Sequence, residues 1–309
     1  MLPLQSATFG TAAEAVEAGF RAAADLATSK VEVIPHGDGD VLAAIDKARA
    51  AQVKVIAGPL LRDDVKALAS MTQPLPWTIA LNQLEEDVTL PDHVYTLALS
   101  IEGEARQIAR TMQAEGVRDV AVIAGDSALQ RRFASSFTSE WILLGGGPPS
   151  TYNIVRATEM LATLRQELGR VAPNAIVLAA DAADAALVKP YLPRATVYAS
   201  SQINEPKAVP IMSDLDDIHF VEVPWLVEPD APQFAGIPRP QYASTTLERL
   251  YALGLDAFAV AQAFDHGAPQ RLEIEGATGH LTLDGRHHIV REGRLAHLEG
   301  GHLVPDPSH

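Results

Sequence analysis

The stretch Val53-Lys54-Val55-Ile56-Ala57-Gly58-Pro59-Leu60 runs directly into Leu61-Arg62-Asp63-Asp64-Val65-Lys66-Ala67-Leu68-Ala69. The β-branched residues of the first segment are typical of a short buried strand. The Gly-Pro pair ends that strand because proline has no N–H for a β-ladder. In the second segment apolar residues recur at positions 61, 65 and 68, which is the spacing of one helix face. Residues 77–82 then predict the next buried strand, so this stretch predicts the strand-loop-helix-strand unit of a parallel sheet.

The same alternation of strands and helices extends over most of the chain. Thr11 is the predicted N-cap of the first helix, with Glu14 as its capping-box partner, and the longest helix is predicted over 242–264. Residues 270–305 alternate apolar residues with glycine-rich turns, as short antiparallel strands do. The pattern predicts two parallel sheets flanked by helices and a β-rich tail. The other strands of these sheets are predicted at 2–4, 31–34, 93–99, 119–124, 175–179, 196–199 and 219–223.

Composition limits the classes of function. The chain has 309 residues, which is more than one comfortable core and indicates two domains. A net charge of −15 argues against binding nucleic acid or anionic membranes through bulk electrostatics. The absence of cysteine excludes disulfides, thiolate metal sites and a cysteine nucleophile. Residues 1–4 lack the pattern of a signal peptide and look like the tail of a buried strand, so we expect the chain to derive from a longer precursor.

No recognised catalytic motif occurs in the sequence. Gly-x-Ser-x-Gly, the P-loop and His-Glu-x-x-His are all missing, and the run Gly145-Gly146-Gly147 opens no helix as a dinucleotide fingerprint would. The adjacent His287 and His288 would point to opposite faces of a strand, which is poor geometry for a metal. We therefore predict that the chain is not an enzyme and holds no metal or cofactor. Histidines crowd the tail at positions 280, 287, 288, 297 and 302.

Candidate ligand-binding residues follow from topology. In open parallel sheets, ligands lie beyond the carboxyl ends of the strands. Two lobes would bring those loops face to face across a cleft, and the residues selected in this way are mostly polar and uncharged. They suit a small polar ligand rather than catalysis. The candidates are Ser6, Gly58, Asn82, Ser100, Asp126, Tyr152, Ser200 and Gln202.

An ordered set of short motifs gives the sequence a family resemblance. Each motif is weak alone, but together they span essentially the whole chain in order. The set resembles the type I periplasmic-binding-protein fold and, within it, the LppC/LpoA lipoprotein family. The motifs are Pro3-Leu4, Phe9-Gly10, Gly19-Phe20-Arg21-Ala22-Ala23, Ile56-Ala57-Gly58-Pro59-Leu60, Ile79-Ala80-Leu81-Asn82, Leu97-Ala98-Leu99-Ser100 with Glu102 and Glu104-Ala105, Pro224-Trp225-Leu226, Arg249-Leu250-Tyr251-Ala252-Leu253-Gly254-Leu255-Asp256-Ala257 and Thr278-Gly279-His280-Leu281-Thr282-Leu283-Asp284.

The resemblance implies a two-lobed Venus-flytrap module, each lobe a mostly parallel sheet flanked by helices. We expect lobe 1 to comprise residues 1–98 and 226–288, and lobe 2 to comprise 99–225 and 289–309. Members of this family are periplasmic, outer-membrane-anchored lipoproteins that activate a class A penicillin-binding protein in peptidoglycan synthesis. They act by protein contact. The lipobox cysteine, the signal peptide and the helical-repeat domain of larger members are not found in this sequence.

Two functions remain open from the sequence. The first is a non-enzymatic periplasmic regulator, with a class A penicillin-binding protein as its partner. The alternative is a solute-binding protein of the ABC-transporter type, for a small polar ligand such as an amino acid. The proline-rich loop 228–240 is a candidate partner contact because it is long and stiff, and because we expect Phe234 and Ile237 to be exposed there.

Overall fold

A computed structural model describes residues 1–84, 88–208 and 210–307. In chain order the helices are α1 (Gly10–Leu26), α2 (Val41–Ala50), α3 (Arg62–Ala69), α4 (Ile101–Ala114), α5 (Ala128–Leu143), α6 (Thr158–Val171), α7 (Ala182–Val188), α8 (Pro224–Val227) and α9 (Thr245–Ala263). The strands are β1 (Val55–Ala57), β2 (Trp77–Ala80), β3 (Val94–Leu97), β4 (Val120–Ala124), β5 (Ser150–Asn153), β6 (Ala175–Ala179), β7 (Thr196–Ala199), β8 (Ile218–Glu222), β9 (Glu273–Glu275), β10 (His280–Leu283), β11 (His288–Glu292), β12 (Arg294–Glu299) and β13 (His302–Pro305).

The chain divides into two compact units. Unit 1 comprises Met1–Ser100 and Val223–Glu292, and unit 2 comprises Ile101–Glu222 and Gly293–His309. Each unit contains one sheet with helices packed against it. That the units are the two lobes predicted from the sequence stays a prediction. None of the helices in the described ranges is both long and apolar enough to span a bilayer.

The sheet of unit 1 has six strands in the order β1-β2-β3-β11-β10-β9. Its first four strands run parallel, and β10 and β9 are added antiparallel as the tail pattern predicted. Helices α1 and α9 pack closely on each other, and apolar residues of both join the buried core over this sheet.

The sheet of unit 2 has seven strands in the order β13-β12-β8-β7-β6-β4-β5. Neighbouring strands from β8 to β5 are parallel, and β12 is antiparallel to both β8 and β13. Strand β6 is buried along its whole length, as a strand covered on both faces should be. The predicted α/β class, with mostly parallel sheets flanked by helices, is confirmed.

Two predictions for the start of the chain are wrong. Residues 2–4 and 31–34 form no ladder, and only an isolated parallel bridge joins Leu2 to Pro35. The ladder cannot extend because the amide of Leu4 turns back to the carbonyl of Leu2, at 2.9 Å, and Pro35 has no N–H. Helix α1 begins at Gly10 rather than after Thr11, and its preceding residue Phe9 makes no side-chain cap.

Sequence reasoning also missed strands β5 and β13. Both lie at the edges of the seven-stranded sheet. Residues of β5 alternate between half-buried and exposed, and those of β13 contain no buried residue. Edge strands carry a weaker apolar signal than central ones because one side has no neighbouring strand, which explains why the pattern did not reveal them.

Candidate functional site

Three of the four candidate residues in unit 1 use their polar groups within the fold. The hydroxyl of Ser6 accepts hydrogen bonds from the amides of Thr8 and Phe9, at 3.3 and 3.1 Å, and so caps the approach to α1. The amide of Asn82 donates to the carbonyl of Leu60 at 2.9 Å, and its oxygen accepts from the backbone of the next residue. The hydrogen bonds of Ser6 fix the turn before α1, and those of Asn82 connect the loops that follow β1 and β2. Both side chains therefore have a structural role.

Ser100 and Gly58 complete the set in unit 1. The hydroxyl of Ser100 accepts a hydrogen bond from the side-chain amide of Gln83 at 2.7 Å. Gly58 has φ +109°, and a Cβ on it would lie 1.9 Å from the carbonyl oxygen of Met1. Only glycine fits both the left-handed backbone and this close approach. The Gly-Pro signal that ended the strand therefore also marks a tight backbone contact.

In unit 2, Ser200 and Tyr152 are held by the sheet, and Asp126 is exposed. Ser200 is fully buried and its hydroxyl donates to the carbonyl of Ala180 at 3.3 Å. Tyr152 lies on the edge strand β5, half-buried against the core. The backbone carbonyl of Asp126 accepts a hydrogen bond from Arg131 at the start of α5. The side chain of Asp126 is the most accessible of the three.

Gln202 differs from the other candidates. Its side-chain oxygen is buried and has no hydrogen-bond partner among the described residues. A buried acceptor without a donor destabilises the fold by about 1–3 kcal/mol, so an unused oxygen at this position is suited to receive a donor from outside the chain. Of the eight candidates, Gln202 therefore has the strongest case for a ligand contact. That the eight residues converge on one ligand stays a prediction.

Two further unsatisfied polar atoms face each other in unit 1, and sequence reasoning did not find them. His36 and Asp64 are both buried, and the Nε2 and Oδ2 atoms that face each other are 3.9 Å apart. Burial raises the pKa of Asp64, and the nearby His36 acts in the opposite direction. The separation is too long for a direct hydrogen bond but fits one bridging water. His36 precedes α2 and Asp64 lies on α3, 28 positions further along the chain, so no local periodic pattern signals the pair.

A cavity in unit 1 has a volume of about 830 Å³. It lies between the irregular segment 29–34 and strand β1, and the end of α9 closes one side with Phe258 and Gln262. A cavity of this size fits the range typical of small-molecule sites. It is lined mainly by apolar side chains, although Lys54 and Asp265 pair at its rim, 3.0 Å apart.

The proline-rich loop 228–240 is bound to the body of unit 1, which corrects the expectation for Phe234. That ring is buried and stacks edge-on against Trp225, with 5.2 Å between ring centroids, and Ile237 is half-buried. Arg239 lies 3.6 Å over the same indole and donates to the carbonyls of Trp225 and Pro229. The buried aromatic residue of the loop therefore serves packing, whereas the four prolines of the loop, Asp230 and Gln233 are exposed.

Comparison with protein families gives a match over almost the entire chain. The family model described as "LppC putative lipoprotein" matches residues 1–300. A curated relative from Edwardsiella piscicida, "Penicillin-binding protein activator LpoA", is 28% identical over 322 residues, covering 89% of this chain and 46% of the relative. The chain thus spans about half the length of the curated relatives it matches.

Solved structures share the fold of the whole chain. A protein from Chromobacterium violaceum described as a "putative branched-chain amino acid ABC transporter" has a TM-score of 0.85 and 31% identity, with 96% of this chain and 98% of that chain covered. The LpoA C-domain from Haemophilus influenzae, described as "a regulator of PBP1A", has a TM-score of 0.83 and 23% identity, with 99% and 98% covered. The predicted type I periplasmic-binding-protein fold is confirmed.

Proposed function

The chain belongs to the LppC family, and from that premise we propose that it is a non-enzymatic regulatory module that binds and activates a class A penicillin-binding protein in peptidoglycan synthesis. One observation carries the proposal: the family match runs over residues 1–300, across both units. The name of the Edwardsiella relative supplies the partner. The activity of the longer relatives comes to this chain only as part of this proposal.

The fold is consistent with action by contact. Most of the predicted ligand-binding side chains form hydrogen bonds within their own unit, as described for Ser6, Asn82 and Ser200. Side chains that are already bonded internally form a rigid scaffold, and a rigid scaffold presents its surface to a partner with little loss of conformational entropy.

We place the protein in the periplasm. The family description names a lipoprotein. A lipidated N-terminus preceding residue 1 would anchor the protein to the outer membrane. Such an anchor would hold the module beside the peptidoglycan layer, where a class A penicillin-binding protein works.

The loop 228–240 remains our candidate for the partner-contacting surface. Because Phe234 is buried, the candidate contact is now formed by the exposed residues of the loop. Deleting 230–237 would remove the buried Phe234 and disturb the aromatic cluster around Trp225, so a surface substitution is the sharper test. Asp230 is exposed and is not a member of the apolar cluster, and its replacement by arginine reverses a charge on the loop surface beside Arg239. Asp25→Arg is the matched control because Asp25 is an exposed acidic residue at the end of α1 in the same unit.

Binding of the purified chain to the periplasmic part of a class A penicillin-binding protein tests this surface. We expect Asp230→Arg to weaken binding at least tenfold and Asp25→Arg to leave it within twofold. If both variants bind as tightly as the wild type, the loop is not the contact surface. If the wild type itself does not bind, the proposed function fails.

The alternative function, solute binding, is favoured by two observations. The Chromobacterium structure is 31% identical to this chain, and its description names a putative branched-chain amino acid ABC transporter. Gln202 also offers an unused buried acceptor, which an ammonium or amide group of a solute could satisfy. A thermal-shift screen against amino acids separates the two functions. A ligand at 100 times its Kd stabilises the folded state by about 2.7 kcal/mol.

A further inference from the structure

Two histidines of unit 2 lie directly opposite each other on neighbouring strands. In the antiparallel pairing of β12 with β8, His297 is the register partner of His219. Directly paired residues in an antiparallel ladder project their side chains from the same face of the sheet. Their ring centroids are accordingly 5.3 Å apart.

A carboxylate completes the group from a third strand. Asp306 follows β13 directly, and its backbone amide donates to the carbonyl of Leu295 on β12 at 3.0 Å. One carboxylate oxygen lies 2.8 Å from Nδ1 of His219, and the other lies 2.5 Å from Nδ1 of His297. Donor atoms of all three residues lie within 4.8 Å of one another. The sheet register thus converges three potential ligands on one point.

We propose that His219, His297 and Asp306 form a binding site for a divalent transition-metal ion, with zinc as the metal that suits the ligands best. Two imidazole nitrogens and a carboxylate oxygen are ligands that zinc accepts, and three protein ligands leave a fourth tetrahedral position for water. The histidine side chains are 28% and 23% exposed, so solvent reaches this fourth position.

The present distances require only small movements. Ligand atoms of a tetrahedral zinc site, with bonds of about 2.0–2.1 Å, lie roughly 3.4 Å apart. Asp306 offers one oxygen as a ligand, so only one of the two hydrogen-bonded separations joins ligand atoms, and it would widen by less than about 1 Å. No separation between ligand atoms would shorten by more than about 1.4 Å, which is within the reach of side-chain rotation.

The chemistry of the site suits a cation. The carboxylate of Asp306 is largely buried, and both of its oxygens face imidazole nitrogens. Outside the ligand set, Tyr198 packs beside the ring of His219, with centroids 5.6 Å apart, and donates its hydroxyl to Glu115. Such surrounding contacts hold an imidazole in a fixed orientation.

Membership of the LppC family does not by itself predict this metal site. The family match ends at residue 300, so Asp306 lies outside the matched region. The proposal is also independent of the regulatory function, since it depends only on contacts within unit 2. It replaces the sequence-based prediction of no metal, which considered His297 but did not associate it with His219.

Zinc titration of the full chain, with any affinity tag removed and after treatment with a chelator, tests the site. We expect isothermal titration calorimetry to show one zinc ion per chain. His297→Asn and Asp306→Asn should each weaken zinc binding at least tenfold, because each removes one of three ligands. His280→Asn is the matched control, since His280 also pairs with a carboxylate, Glu275 at 2.7 Å, but among the described residues no third ligand atom joins this pair within 4.8 Å.

Absence of saturable zinc binding by the wild type would overturn the proposal, as would equal binding by the wild type and both site variants. Circular dichroism shows whether the variants fold. If they do not, the visible spectrum of the cobalt-loaded wild type replaces them as the test. Tetrahedral nitrogen and oxygen ligation should shift and strengthen the cobalt bands relative to free cobalt, and an unchanged spectrum would contradict the site.

Discussion

Gly19 of α1 and Gly254 of α9 each lie against the backbone of the other helix. A Cβ on Gly19 would lie 2.0 Å from the carbonyl oxygen of Tyr251, and a Cβ on Gly254 would lie 2.1 Å from that of Val16. The two glycines therefore allow a backbone-to-backbone contact that no larger residue permits. Both occur in the motifs that carry the family resemblance, so those motifs report helix packing in unit 1.

The first prediction concerns this contact. Gly19→Ala and Gly254→Ala should each lower the free energy of unfolding by at least about 2 kcal/mol, because the added methyl group meets backbone atoms that cannot move independently. Gly169→Ala is the control: this glycine lies on the exposed face of α6 with nothing within 4 Å of an added Cβ. There alanine should stabilise by about 0.5–1 kcal/mol. Urea unfolding measures all three, and equal effects at the three sites would contradict the packing argument.

The second prediction concerns the pH dependence of stability. The buried carboxylate of Asp256 on α9 accepts hydrogen bonds from the amides of Ala277 and Thr278 and from the hydroxyl of Thr278, at 2.5–2.7 Å. Burial raises the pKa of Asp256 from its ordinary value of 3.8 to about 6, although these hydrogen bonds act to lower it. The folded state thus binds more protons than the unfolded state between about pH 4 and pH 6, so this group's contribution to stability falls as the pH rises.

Asp256→Asn should remove that dependence. Between pH 4 and pH 7 the stability of the wild type relative to the variant should fall by about 3 kcal/mol, at about 1.4 kcal/mol per pKa unit. Asp265→Asn is the control because Asp265 is exposed and pairs with Lys54 at the surface. Between pH 4 and pH 7 the stability of the wild type relative to Asp265→Asn should change by no more than about 0.5 kcal/mol. A difference between wild type and Asp256→Asn that does not change with pH would refute the prediction.

The third prediction compares Gln202, which is half-buried but has a buried side-chain oxygen, with the buried Gln130, also in unit 2. Gln202→Met should raise the free energy of unfolding by about 1 kcal/mol, because it replaces an acceptor that has no partner in the described chain with an apolar group of similar size. Gln130→Met should lower it by about 1–2 kcal/mol. The side-chain oxygen of Gln130 accepts from the amide of Ser127 at 3.0 Å and completes the capping box of α5. Effects of the same sign in both variants would contradict the assignment of Gln202 as unsatisfied.

The fourth prediction concerns Arg239, which holds the loop 228–240 through its contacts with Trp225 and Pro229. Arg239→Lys should lower the free energy of unfolding by about 1–2 kcal/mol, because lysine cannot both lie flat over Trp225 and donate to two carbonyls. Arg271→Lys, at an exposed pair with Glu273, should change it by less than about 0.5 kcal/mol. Tryptophan fluorescence during urea unfolding reports both variants. An Arg239→Lys variant as stable as the wild type would show that other contacts hold the loop, such as the packing of Phe234 and the hydrogen bond from the Tyr251 hydroxyl to the carbonyl of Pro238.

Local signals predicted most of the fold from sequence. Val53 to Pro59 predicted a strand and its end because β-branched residues and the Gly-Pro pair act within a few residues of chain. The parallel pairing of β1 with β2 followed from the helix between them. The first two predicted strands failed because the amide of Leu4 turns back to the carbonyl of Leu2 and because Pro35 has no N–H, so only an isolated bridge forms.

Little of the candidate sites could be predicted in the same way. The contact of Asp256 with Thr278 joins residues 22 positions apart, and the approach of His219 to Asp306 joins residues 87 positions apart. The first contact depends on how α9 packs against the turn between β9 and β10, and the second depends on the register of β8, β12 and β13. A single sequence specifies neither. The topological rule did select Gln202, but it could not distinguish this free acceptor from Ser200, whose hydroxyl is already bonded within the sheet.

Binding of the purified chain to the periplasmic part of a class A penicillin-binding protein, measured together with glycan polymerisation by that enzyme, tests the central claim most directly. We predict saturable binding and faster polymerisation in the presence of the chain. Absence of both, together with a thermal shift of about five degrees or more with a branched-chain amino acid, would contradict regulation and favour solute binding.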